Sequence, residues 1–313
     1  MSQDAFATSR LLRENISRVV LGKDELVQML VVTLIAGEHL LLEDVPGVGK
    51  TLAAKALASS IEGSFARLQF TPDLLPSDIT GSAIYRSDTR DFEFKRGPIF
   101  NHVVVADEIN RAPPRTQSAL LEAMSEGCVS IDGITHPLPK PFIVVATQNP
   151  FEFEGTYTLP ESQMDRFLLR SSIGYPSREI EKEVMSTHRL GEPVNQLKAV
   201  VTTEQIKTAQ DAARDIRFDE TLVDYLLSIV DATRQDDAFQ VGVSTRGALS
   251  FYRACQARAI TEERDFVTPD DVKALAVPCL SHRLLTNGIF QDAGRKTVTD
   301  HLTDLVARIP VPV

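Results

Sequence analysis

The chain has 313 residues, 43% of them hydrophobic and 24% charged, with a formal net charge of −10. That length supports about two domains of ordinary size and a core that needs no disulfide or metal staple. Cys128, Cys255 and Cys279 form no CxxC pair, the histidines never fall at metal-ligand spacing, and the acidic balance opposes non-specific binding to phosphate backbones.

The first residues carry Asp4 and Arg10 and no apolar stretch of the secretory kind. The longest apolar run, residues 29–36, is far short of the ~20 residues of a membrane span, so a cytoplasmic protein is expected. Residues 24–37 place apolar side chains at 26, 27, 30, 31, 34 and 35, one face of a helix closed by Gly37. Residues 39–42 read as a buried strand, then a glycine-rich turn leads into a helix over 50–60. Residues 65–70, 103–106 and 142–147 are further strands. Between the last two, a helix opens at Pro113-Pro114, stops at Gly127 and aligns Leu120, Leu121 and Met124. Residues 81–98 and 128–137 read as hairpins, the second with Asp132-Gly133 at its turn. Strands alternating with helices predict a parallel sheet covered on both faces.

After Tyr175-Pro176 the strand signals stop. Helices are expected over 179–188, 204–214, 220–234, 245–263 and 269–285, the last opened by the cap Thr268-Pro269-Asp270-Asp271. The expected organisation is an α/β nucleotide-binding domain over 1–175 and a helical domain over 176–313, ending in a short tail.

The turn Asp44-Val45-Pro46-Gly47-Val48-Gly49-Lys50-Thr51-Leu52 lies between a strand and a helix, the context of a phosphate-binding loop. Gly47 and Gly49 let backbone N–H groups close on phosphate oxygens, and the helix N-terminus adds its positive end. Lys50 reaches the β- and γ-phosphates of a nucleotide, and Thr51 offers its hydroxyl to Mg²⁺. Asp44 replaces the first glycine of the GxxxxGK(S/T) pattern. The strand at 103–106 runs into Asp107-Glu108, an acid for the metal and an acid to polarise water. Together the two motifs read as nucleotide hydrolysis.

Residues 41–47, 69–78, 107–114, 116–124, 146–150 and 165–167 match, in order and spacing, the MoxR branch of the AAA+ ATPases, which the chain resembles from about Val19 onward. The resemblance implies an α/β AAA+ P-loop fold with a five-stranded parallel sheet, order 5-1-4-3-2, and a small all-helical lid. It implies Mg²⁺-dependent ATP hydrolysis, with Asn149 as sensor-1 residue, Arg166 as arginine finger and Arg246 as sensor-2 residue of the lid. Thr245 stands where relatives usually have proline. From the residues alone, Asn149 also reads as an Asn-Pro turn, although its place at a strand end favours the sensor, and Arg166 reads more readily as a surface arginine paired with an acid.

Further roles come from the same resemblance. Val20-Leu21-Gly22 matches the segment against adenine, although it also reads as part of the core. Residues 81–98 match the helix-2 insert and 128–137 the pre-sensor-1 hairpin, elements that face a pore. Phe92, Phe94 and Lys95 are candidate client contacts, or the two rings pack the hairpin. The implied assembly is a homo-oligomer, a hexameric ring, acting on a protein client with a von Willebrand factor A domain partner on a separate chain, possible outcomes including metal-cofactor insertion. Three alternatives share some of these features: a metal-chelatase motor subunit, a nucleic-acid translocase, and a nucleotide-gated binding module. Glu108 argues against the third. Against the second, Arg86, Arg90 and Lys95-Arg96 are offset by Asp88, Asp91 and Glu93.

Overall fold

Five short strands pair in parallel: β1 (Leu40–Glu43), β2 (Phe65–Gln69), β3 (Val103–Asp107), β4 (Ile143–Gln148) and β5 (Leu169–Ser171). Their order is β5-β1-β4-β3-β2, as the resemblance implies. The computed structural model describes residues 2–88, 90–150, 155–189, 191–286 and 294–312; position 89 of the first hairpin and Val313 of the tail lie outside them.

Because successive side chains point to opposite faces, the strands feed two cores. Leu40, Leu42, Val103, Val105, Ile143 and Val145 meet α2 (Asp24–Ala36) and α3 (Lys50–Ser59) on one face. Leu41, Val104, Ala106, Val144 and Ala146 meet α4 (Pro114–Glu126) on the other, where Leu120, Leu121 and Met124 point inward as expected. β3 and β4 are buried along their whole length, which explains the apolar runs 103–106 and 143–146. Each fully buried aliphatic side chain contributes about 1.5–3 kcal/mol relative to an exposed one.

The second half holds α5 (Arg178–His188), α6 (Thr203–Arg214), α7 (Glu220–Gln235), α8 (Thr245–Thr261), α9 (Pro269–Leu280) and α10 (Gly294–Arg308). Two expectations change here. The last expected helix stops at Leu280 rather than 285, because the chain tightens into a 3-10 turn over Ser281–Arg283 that turns His282 and Arg283 inward. Strands do not stop at Pro176 either: Val201–Thr202 pairs with Ile61–Glu62, and Phe239–Val241 with Leu285–Thr286. Such short strands are too brief to show alternation.

Helices α10 and α1 (Ser2–Ser17) lacked a clear signal in the sequence. α1 buries Ala5, Leu12 and Ile16, but also Thr8, Ser9 and Asn15, so its inner stripe is half polar. It packs on α6 and α8, while α2 packs on the same two helices. Asn15 Nδ2 donates to Ser60 Oγ at 2.9 Å and to the Lys198 carbonyl at 3.1 Å.

Candidate nucleotide site

Strand register brings the polar residues together. Glu43 lies opposite Gln148, and Gln69 opposite Asp107, so the C-terminal ends of four strands form one rim. Above it opens a cavity of about 310 Å³. The glycine-rich turn and the start of α3 contribute Pro46, Gly47, Gly49, Lys50, Thr51 and Leu52. The strand ends contribute Arg67, Gln69, Asp107, Glu108, Thr147 and Asn149. Val45 and Val48 do not line it: Val48 packs against the core, and the Val45 carbonyl accepts from Lys50 Nζ at 2.9 Å.

Gly47 and Gly49 have φ of +83° and +98°, values that side-chain-bearing residues rarely adopt. A Cβ at either would meet nothing within 4 Å, so the turn leaves open space in front of the first amides of α3. Open space, free amides and the helix dipole suit an anion. Lys50 Nζ also donates to the Asp44 carbonyl. Burial pulls the Lys50 amine below its usual range, while Asp44, Glu108 and Asp107 act in the opposite direction.

Asp107 is buried and fully engaged. Its Oδ1 accepts from Thr51 Oγ1 at 3.1 Å and Thr147 Oγ1 at 3.3 Å, and its Oδ2 from Arg67 Nε at 2.6 Å. A threonine hydroxyl beside a carboxylate is a hard-oxygen pair that fits Mg²⁺. Glu108 has φ +57°, the left-handed region, which turns its side chain out of the strand direction. Its N–H donates to Thr147 Oγ1 at 2.9 Å, and its Oε2 accepts from Gln69 Nε2 at 2.9 Å and Arg111 Nε at 3.0 Å. Asn149 lies beside it, its carbonyl accepting from Asn110 Nδ2 at 3.3 Å.

Several of these residues have no role legible in the sequence. Arg67 and Gln69 point the same way from β2, a spacing of two visible in sequence, but only the β2–β3 register brings them to the acids. The structure also accounts for Asp44. Its Oδ1 accepts from Val45 N at 2.7 Å, and its Oδ2 from Ile173 N at 2.8 Å and Gly174 N at 2.6 Å. The carboxylate thus ties the glycine-rich turn to the connector after β5, a contact glycine could not make.

Arg166 and Arg246 do not line this cavity. Arg166 follows the short helix Glu161–Met164, and its Nη1 donates to the Leu121 carbonyl. It borders a separate cavity of about 530 Å³ with Gln163, Glu122 and Cys128. Arg246 is exposed in the first turn of α8, whose cap Ser244 accepts from Gly247 N at 3.0 Å and donates to Asp165 Oδ2 at 3.3 Å. The two arginines therefore rise from supports that touch. Gly22, after the buried Val20, approaches Ile180 of α5 so closely that a Cβ would sit 2.9 Å from its side chain.

Both hairpins form, from Gly81–Arg86 with Asp91–Arg96 and from Cys128–Ile131 with Ile134–Pro137. The two phenylalanines divide. Phe94 stacks on His136 at 4.2 Å and joins the hairpins, whereas Phe92 is 68% exposed beside Tyr85. No helix among the described residues is long and apolar enough to cross a membrane.

Residues 39–169 match the ATPase family associated with various cellular activities (AAA), and residues 231–305 the AAA lid domain. YeaC of Bacillus subtilis, itself uncharacterised, is 49% identical over 87% of this chain and 85% of its own. Chaperone MoxR1 of Mycobacterium tuberculosis is 43% identical over 86% of this chain and 74% of its own. The crystal structure of a candidate ATPase from Cytophaga hutchinsonii superposes with a TM-score of 0.88 at 35% identity, covering 99% of this chain and 98% of its own. A five-stranded sheet of this order, a phosphate-loop turn beside two strand-end acids, and these likenesses over nearly the whole length lead to one conclusion: the chain belongs to the MoxR family of AAA+ ATPases and hydrolyses ATP.

Proposed function

We propose that the chain hydrolyses ATP with Mg²⁺ to drive remodelling or maturation of a partner protein. The observation that carries the site assignment is the joint placement of Thr51 and Asp107 at 3.1 Å, with Glu108 beside them in one cavity. Lys50 and the amides around Gly47 and Gly49 bind the phosphates. Thr51 and Asp107 hold Mg²⁺, which when bound neutralises developing phosphate charge. Glu108 takes the proton of the attacking water, Gln69 and Arg111 fix its carboxylate, and Asn149 orients that water. Calorimetry with Mg·ATP tests these roles: Lys50→Ala should lose binding, and Glu108→Gln should keep binding and lose turnover. Equal loss of binding in both would overturn them.

Arg166 and Arg246 act on the nucleotide of a neighbouring subunit in a hexameric ring. Their absence from the chain's own cavity, and the contact between their supports Asp165 and Ser244, favour this reading. The helical unit after residue 176 serves as the lid. Turnover should then rise more than linearly with protein concentration, and a fully active monomer in sedimentation would overturn the ring.

The client is a protein, in keeping with the chaperone to which the chain is similar. Exposed Phe92 and Tyr85 on the first hairpin offer it an apolar contact. The family resemblance supports a von Willebrand factor A domain partner and metal-cofactor insertion as one outcome, and the short apolar runs favour a cytoplasmic location. With a net charge of −10, nucleic acid is disfavoured as client. Fluorescence anisotropy with labelled DNA and RNA at low salt checks this, and micromolar binding with a steep salt dependence would favour a translocase.

A further inference from the structure

Arg283 has a side chain only 1% exposed, in the 3-10 turn that ends α9. Its guanidinium reaches out of the helical unit to the segment that carries Arg166. Nε donates to Asp165 Oδ1 at 2.8 Å, Nη2 to the Phe167 carbonyl at 2.7 Å, and Nη1 to the Leu168 carbonyl at 3.2 Å. Nη1 also bonds the Cys279 carbonyl in its own helix. A buried guanidinium is costly to desolvate and is rarely the most stable way to fill a core, so it suggests a geometric task. The alkyl stem of Arg283 meets the first turn of α8, because a Cβ at Gly247 would lie 2.8 Å from Arg283 Cδ. The second oxygen of Asp165 accepts from Ser244 Oγ at 3.3 Å, closing a loop of contacts between the start of α8 and the 165–168 segment.

We propose that Arg283 and Asp165 are positioning residues for ATP hydrolysis, locking the segment that bears Arg166 to the helix end that bears Arg246. Both arginines then reach a neighbour's nucleotide as one rigid unit. Such rigidity matters because catalytic groups must be held within roughly 0.5 Å of their working geometry. The proposal rests on the reading that both arginines act across the subunit boundary. It goes beyond that reading in naming the residues that set their relative geometry, and it makes a directional statement: the pair serves the subunit that donates the arginines, not the one that binds ATP.

Mixed assemblies test it. Lys50→Ala subunits can donate arginines but not bind ATP, and Arg166→Ala subunits can bind ATP but not donate that arginine. Mixed together, they should recover part of the activity. Asp165→Asn added to the Lys50→Ala donor should cut the recovered rate about ten-fold or more, whereas in the Arg166→Ala acceptor it should cost less than about two-fold. KM for ATP should stay fixed while kcat falls. Arg283→Lys, which keeps the charge but not the planar fork, should follow the same donor-side pattern. If that variant fails to fold, Asp165→Asn and the exposed Ser244→Ala carry the test alone. Equal losses on either side, or none on the donor side, would overturn the proposal. A parent mixture that recovers nothing would overturn the cross-subunit reading, and the proposal with it.

Discussion

The nucleotide cavity and the junction around Asp165, Ser244 and Arg283 are built on opposite principles. In the cavity, the central groups sit where their own local motifs place them: Lys50 and Thr51 at a helix start, Asp107 and Glu108 at a strand end. At the junction, each residue alone is unremarkable, and Arg283 meets Asp165 across 118 positions of sequence. The cavity gathers polar groups at the strand ends and the start of α3. The junction works with a buried charge whose donors are matched to fixed carbonyls. On the proposed reading, chemistry is concentrated in the first region and alignment in the second, so damage to them should look different.

Experiments can break or sharpen that contrast. The largest effect is expected at Arg166→Ala, which, if Arg166 is an arginine finger, should lower kcat by about 10³–10⁵ while ATP affinity holds. Stopped-flow phosphate release and calorimetry together check it. Glu108→Gln should lower kcat by roughly 10²–10⁴ through loss of a general base. If Glu108→Gln also lost ATP affinity, the division between chemistry and alignment would weaken. Asp44→Ala should cost about 1–3 kcal/mol, because the Ile173 and Gly174 amides lose their shared acceptor. Urea midpoints measure that cost, and weaker nucleotide binding should accompany it.

The smallest effect concerns pH. Burial holds His282, which donates to the Phe167 carbonyl at 2.9 Å, well below its ordinary pKa, and lowers His39 also. In the unfolded chain both protonate near about 6.5, so below that pH the unfolded state binds more protons. Stability should therefore be flat above about pH 6.5 and fall below it, by at most about 1.4 kcal/mol per pH unit for each histidine. His282→Gln should flatten the fall, as denaturation at pH 5 and pH 7 would reveal. An unchanged slope would mean that the junction tolerates a charged imidazole.

Legibility in the sequence follows the same division. Four of the sheet strands, the α3 start and the paired strands of both hairpins are local patterns and fold as read, whereas β5, with only Leu169 apolar, is implied by the family resemblance alone. Asp44 looked like a mere departure from a pattern, because its partners are amides about 130 residues on. Arg67 and Gln69 gain meaning only from register, which depends on how β2 lies against β3. Helix α1 escaped notice because Ser9 and Asn15 interrupt its buried stripe, and polar atoms satisfied by distant partners leave no periodic mark. Phe92 and Phe94 alternate identically in sequence, yet only the second finds a ring to stack on.

Asn15 has a mechanical consequence. By bonding Ser60 at the end of α3 and the Lys198 backbone before α6, it makes α1 a brace between the sheet layer and the helical half. A bend at the connector after β5 would have to stretch that brace or drag α1 along, and close-packed interiors yield little to such loads. On the proposed reading, work released at the phosphates would be carried through a stiff body, leaving the compliant joints of a ring between its subunits.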